Sequence, residues 1–74
     1  MKYYIPNELH VELKADIAKA MMDVEIEWRK ALNEPNFETY ADDGEHYTDE
    51  AQEIFNRFYD EADQLLLNNG VEAG

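Results

Sequence analysis

The amino-acid sequence predicts a small all-α protein built as a hairpin of two main helices. Two long segments carry apolar residues at intervals of three and four, the spacing of residues along one helix face. The 74-residue chain is 45% hydrophobic, which is enough for a core. It has no cysteine, so disulfides cannot reinforce that core, and a domain this small then depends on packing or on assembly.

Residues 1–6 are predicted to form an extended N-terminal arm, because Pro6 disfavours helical geometry at Ile5. Asn7 is a suitable N-cap, and helix 1 is expected over residues 7–33. Its apolar residues form two adjoining sets. The main stripe comprises Leu9, Leu13, Ile17, Met21, Val24, Trp28 and Leu32, and the second set comprises Val11, Ala18, Met22 and Ile26.

The two apolar sets together cover more than half of the circumference of helix 1. A single partner helix within the chain would cover only part of so wide an arc. The sequence therefore predicts a homo-oligomer, either a dimer or a larger bundle. The expected oligomer interface consists of Val11, Ala18, Met22, Ile26 and Trp28.

The connection between the helices, residues 34–47, is acidic and contains three aromatic residues. Its Asp43-Gly44 pair is typical of a tight turn, so a short β-hairpin and an aromatic-anchored loop both fit the pattern. Helix 2 is predicted over residues 48–69, with Thr48 as its N-cap and Gly70 behind its end. Residues 70–74 are predicted to form a frayed tail.

The net charge of −12 is unevenly distributed. Residues 1–33 contain six acids and five bases, whereas residues 34–63 contain eleven acids and a single base, Arg57. Such a field repels free nucleic acid and anionic membranes and attracts a protein with a basic surface. No apolar run could span a bilayer and no secretory signal is recognisable, so a cytoplasmic location is expected.

Aromatic residues are interspersed among the acids of residues 38–63, which predicts a surface for binding a partner protein. Four acids of helix 2 are expected opposite its apolar face, separated by about 5–10 Å of helix rise, so that they could imitate a row of phosphates. A face that only keeps the protein in solution is the competing interpretation. The expected contact residues are Glu38, Tyr40, Asp42, Asp43, Glu45, Tyr47, Asp49, Glu53, Tyr59, Asp60 and Asp63.

Catalytic and metal-binding patterns are incomplete. The segment from Thr39 to Glu50 has the glycine and the final glutamate of a calcium-binding EF-hand loop, but Thr39 and Ala41 cannot supply its first two carboxylates. The two histidines lack metal-ligand spacing, and no activated nucleophile or phosphate-binding glycine loop is present. The sequence therefore predicts no cofactor, no metal and no enzymatic activity.

Residues 55–67, with the sequence FNRFYDEADQLLL, resemble the acidic helices of phage-encoded DNA-mimic, anti-restriction and anti-CRISPR proteins. The resemblance covers one helix and implies a protein of a phage or mobile element that occupies the nucleic-acid site of a host enzyme. Two other functions fit the sequence. One is an antitoxin-like or adaptor protein that binds through the apolar face of helix 1, and the other is a small virion assembly protein.

Overall fold

The fold is a helical hairpin whose two ends pair as a small sheet. In the computed structural model, which describes residues 2–74, the elements are β1 (Tyr3–Ile5), α1 (Asn7–Leu32), α2 (Asp49–Asn68) and β2 (Val71–Ala73). The predicted helical hairpin is confirmed. The sheet is an addition to the all-α architecture that the sequence predicts.

The helix ends follow local chemistry. The hydroxyl of Thr48 accepts a hydrogen bond from the Ala51 N–H at 3.3 Å, which confirms Thr48 as the N-cap of α2. Asn7 is not a cap, because it is the first residue of α1 and Pro6 occupies the cap position without a side-chain hydrogen bond. Gly70 has a φ of 78°, a conformation that glycine adopts readily, and this lets the chain turn directly from α2 into β2.

The predicted frayed tail is wrong for residues 71–73, which form β2. This strand lies parallel to β1, with Tyr3 beside Val71 and Ile5 beside Ala73. The Tyr3 N–H donates to the Gly70 carbonyl at 2.6 Å. At the other end of the pair, the Gly74 N–H donates to the Ile5 carbonyl at 2.9 Å. The two ends meet because an antiparallel helix pair returns the chain to the side from which it started.

Helix α2 packs on the second apolar set of α1. Met22 is fully buried and Ile26 is 4% exposed, and both cluster with Ala51 and Ile54 of α2. Alanine lets the helix backbones approach closely at three fully buried positions, Ala18, Ala51 and Ala62. The core is completed at its margin by four partly buried aromatic residues, Phe37, Tyr47, Phe55 and Phe58.

The predicted oligomer interface is therefore wrong at three of its five positions. Ala18, Met22 and Ile26 lie inside the monomer, where no second chain can reach them. Val11 is 42% exposed and Trp28 is 63% exposed. On α1, most of the apolar surface that remains open belongs to the main stripe, above all to Trp28 and Leu32, because α2 covers the other set except Val11.

The connection between the helices is an ordered loop with a single β-bridge. Tyr40 and Tyr47 form an antiparallel bridge, and the Ala41 N–H donates to the His46 carbonyl at 2.7 Å. Gly44 has a φ of 73° at the tip of the loop. A single bridge does not amount to a β-hairpin. The loop therefore has the tight turn expected of a hairpin together with the aromatic anchoring expected of an ordered loop.

A carboxylate of α1 links the two helices on one flank. One oxygen of Glu25 accepts a hydrogen bond from Arg57 of α2 at 2.5 Å. The other oxygen is buried and lies 3.6 Å from Arg29, beyond a normal hydrogen bond.

Within residues 2–74, neither helix combines the length and hydropathy that crossing a membrane requires.

Candidate binding surface

Most acids of the loop and α2 are exposed, and within the described part of the chain they have no cationic neighbour. No lysine, arginine or histidine of residues 2–74 lies within 4 Å of eight of them. Four of the six basic side chains are instead engaged with other acids, as in the pairs that Arg57 and Arg29 form with Glu25. We call the eight residues the acidic surface: Glu38, Asp42, Glu45, Asp49, Glu50, Glu53, Asp60 and Glu61.

Asp63 does not belong to the acidic surface, although the sequence places it there. Its carboxylate lies 3.6 Å from the Lys14 ammonium of α1. The same ammonium lies 4.7 Å from the centre of the Tyr59 ring, and the Lys14 side chain is only 17% exposed. Lys14 therefore uses both neighbours to tie the flank of α2 to α1, with the cation–ring contact contributing about 0.5–2 kcal/mol.

The Asp43 side chain stabilises the turn of the connecting loop. One carboxylate oxygen accepts the N–H groups of Glu45 at 2.9 Å and His46 at 3.0 Å, and the other lies 2.6 Å from the His46 ring nitrogen Nδ1. These hydrogen bonds, first that of the His46 N–H and then that of its ring, hold the pKa of Asp43 below its ordinary value. Asp43 thus fixes the turn and is less available than its neighbours to a partner.

We expect the loop to lose order in acid and not near neutrality. Because folding lowers the pKa of Asp43, the stability gained is present above the ordinary aspartate pKa of 3.8 and is lost as the pH falls through the lower value in the fold. Asp43→Ala should abolish the protection of the Glu45 and His46 amide protons at every pH. Asp42→Ala is the matched control and should leave that protection intact. Amide exchange measured by NMR between pH 7 and pH 2 reads both results, and equal loss in the two variants would contradict this role.

An aromatic row joins the loop to α2. Ring centres are 5.6 Å apart for Tyr40 and Tyr47, 5.9 Å for Tyr47 and Phe55, and 6.0 Å for Phe55 and Tyr59. Such separations are typical of favourable aromatic pairs. Tyr40, at the open end of the row, is 50% exposed. The sequence interpretation included the three tyrosines but not Phe55, whose spacing of four from Tyr59 was the available signal.

A shallow depression lies where the loop meets the first turn of α2. Its acidic lining consists of Glu38, Asp49 and Glu50, and Phe37 is among the other residues that line it. All three acids are exposed. Carboxylates around an aromatic ring suit a long basic side chain, which can rest its stem on the ring and direct its charge to the acids.

Glu53 and Asp60 lie further along α2 and are exposed, whereas Tyr47 and Tyr59 are partly buried. The predicted residues thus lie in the loop, in the first turns of α2 and in the middle of α2. Residues 2–74 contain no group of three or more histidine, cysteine or acidic side chains arranged to hold a metal ion.

Comparison of the chain with protein-family models, with curated proteins and with solved structures gave no match.

Proposed function

We propose that the chain is a small acidic binding protein that occupies a basic surface of a partner protein. A surface that ordinarily binds nucleic acid is the natural target, and the resulting function is inhibition, as in phage anti-defence proteins. The observation that supports this most directly is the acidic surface itself. Its eight exposed carboxylates have no cation within 4 Å in residues 2–74, so their charge is directed outward.

The aromatic row supports the same proposal. Charges at an interface mainly steer encounter and fix specificity, whereas ordered aromatic side chains supply much of the affinity. Tyr40 is half exposed yet held against Tyr47, so it loses little side-chain freedom on binding. Tyr40 precedes Asp42 by two residues in the loop, so an anchoring ring would stand beside a steering charge.

A second candidate function is an adaptor that binds a partner through the outer side of α1. Val24, Trp28 and Leu32 are 56%, 63% and 72% exposed, and they follow one another at intervals of four. That spacing suits insertion of a helix face into an apolar groove. This candidate predicts binding that is nearly insensitive to salt, in contrast to the acidic surface.

The experiment compares two variants that carry the same net charge. Asp49→Asn with Glu53→Gln removes one acid from the first turn of α2 and one acid four residues later. Glu8→Gln with Glu12→Gln does the same at the start of α1. Each protein is used to capture partners from a bacterial lysate at about 50 mM and about 500 mM salt, and the affinity of the captured protein is then measured.

We expect the α2 variant to bind about 3–10-fold more weakly at low salt and to show a flatter salt dependence. The α1 variant should bind as the parent does, and double-stranded DNA should displace all three proteins from the partner. Equal weakening by both variants would show that only total charge matters, which would overturn the proposal. Unchanged binding by both, together with loss of binding in Trp28→Ala, would establish the adaptor function instead.

A further inference from the structure

The outer side of α1 carries an open apolar stripe with a symmetric spacing. Ala20, Val24 and Trp28 are exposed, and each stands two positions from residues buried against α2, so they lie on the opposite side of the helix. Ile17 and Ala31 extend the stripe in both directions. Its intervals are three, four, four and three, which read the same from either end. We call these five residues the outer stripe: Ile17, Ala20, Val24, Trp28 and Ala31.

The residue sizes along the outer stripe complement one another when the stripe is reversed. In an antiparallel pair of α1 helices centred on Val24, Ala20 of one copy faces Trp28 of the other. Likewise Ile17 faces Ala31, and the two Val24 residues meet at the axis. On either side of the axis a larger side chain thus faces an alanine, which is the arrangement that helix packing favours.

A row of charged residues runs beside the outer stripe and shows the same symmetry. It consists of Asp16, Lys19, Asp23, Glu27 and Lys30, all exposed, again at intervals of three, four, four and three. In a two-fold antiparallel pair the same flank of each helix lies on the same side of the interface, so this row faces its own reverse. The centre of the row is Asp23, one residue from the axis at Val24. Asp16 therefore approaches Lys30, and Lys19 approaches Glu27, with an offset of about 3 Å along the helix, which a lysine side chain can span.

Lys19 and Lys30 are also the two basic side chains without an acid within 4 Å among residues 2–74. The other four, Lys2, Lys14, Arg29 and Arg57, each have an acidic partner inside the chain. The unused cations therefore stand where the reversed row would supply carboxylates. This is charge complementarity of the chain with itself.

From these observations we propose that a second copy of this chain covers the outer stripe, forming a two-fold antiparallel dimer through α1. Residues 1–33 carry six acids and five bases, so the meeting halves are nearly neutral, while the acidic surfaces of both copies belong to residues 38–61. The proposed interface shares only Trp28 with the interface predicted from the sequence, three of whose residues are buried against α2. It does not depend on the proposed function.

One contact in this dimer is unfavourable. The two Asp23 carboxylates approach each other near the axis, because position 23 is the centre of the charged row. Like charges placed in this way weaken association. Asp23→Asn should therefore lower the dimer dissociation constant by about 2-fold, whereas Glu12→Gln, which lies on α1 beyond the row, should not change it.

The decisive test is a charge exchange. One variant carries Lys19→Glu with Lys30→Glu, and the other carries Asp16→Lys with Glu27→Lys. The dimer of each variant alone should have a dissociation constant about 10-fold or more above that of the parent dimer. The reason is that its charged row then faces charges of the same sign. An equal mixture should form a heterodimer about as stable as the parent dimer, as measured by sedimentation equilibrium or native mass spectrometry.

Two further measurements test the apolar contact. Trp28 is the single tryptophan, so its fluorescence should shift to shorter wavelength as the parent protein is concentrated through the monomer–dimer range. Val24→Glu should abolish that shift. The control is Leu67→Glu, which places the same change on an α2 residue that is 50% exposed, and it should not affect the shift.

Circular dichroism shows whether each variant is folded. A parent protein that remains monomeric at high micromolar concentration overturns the proposal. So does a folded pair of charge variants that fails to form the heterodimer. If the parent dimerises but Val24→Glu leaves the dimer intact, the contact lies on another face and the proposed interface is wrong.

Discussion

Met22→Ala is expected to leave a large part of the chain unfolded at physiological temperature. Met22 is fully buried between the helices, and truncating such a residue costs about 2–5 kcal/mol. A core of this size supplies only about 3–5 kcal/mol in total, and no disulfide supports it. The change should therefore remove most of the helical circular-dichroism signal at 37 °C, or lower the urea midpoint to near zero.

Val24→Ala is the control for Met22→Ala, because it lies two positions away on the open side of the same helix. Val24 is 56% exposed, so its truncation should alter the free energy of unfolding by less than about 0.5 kcal/mol. The free energy of unfolding of both variants is measured on dilute protein, where contact between copies does not contribute. The difference between them then reports burial within the chain. A native-like Met22→Ala protein would show that α2 packs elsewhere on α1.

Phe55→Ala should loosen the connecting loop as well as lower stability. Phe55 is the ring that joins Tyr47 to Tyr59, and it is partly buried. We expect a loss of about 2–3 kcal/mol in the free energy of unfolding, somewhat less than for a fully buried phenylalanine. The Ala41 N–H donates to the His46 carbonyl across the loop. Relative to the parent protein, its exchange rate should increase more than the exchange rates of the core amides.

Phe58→Ala separates loop order from stability. Phe58 also packs against the core from α2, but it is not part of the aromatic row. It should destabilise the fold by a similar amount while the exchange of the Ala41 N–H changes only as much as that of the core. If both variants speed loop exchange equally, the row does not hold the loop, and the anchor assigned to Tyr40 loses its support.

The helices were predictable because their signals are local. Thr48 caps α2 through its own side chain, and the apolar spacing of each helix is present in the sequence itself. Which side of α1 would meet α2 was not predictable, because α1 offers two adjoining apolar sets. Met22 is inside and Trp28 outside owing to the close approach that alanines such as Ala18 permit, and spacing alone does not reveal that approach.

The exposed acids were predictable as a class, but their individual partners were not. Asp63 seemed free because it follows other acids on α2, and only the helix crossing places Lys14 beside it. Asp43 is held by its own loop, whose shape depends on the tip at Gly44. The sheet escaped prediction because β1 and β2 are three residues each and stand at opposite ends of the chain, where no local pattern connects them.

The parallel arrangement of β1 and β2 also determines how the molecule carries mechanical load. A force applied to residue 2 acts on the strand pair at Tyr3. An opposite force applied to residue 74 acts on it at Ala73, which is the other end of the pair. The force then runs along the strands and loads the hydrogen bonds from Tyr3 to Gly70 and from Gly74 to Ile5 together, in shear. Stretching the chain by its two ends must slide this strand pair before any tension reaches the helices.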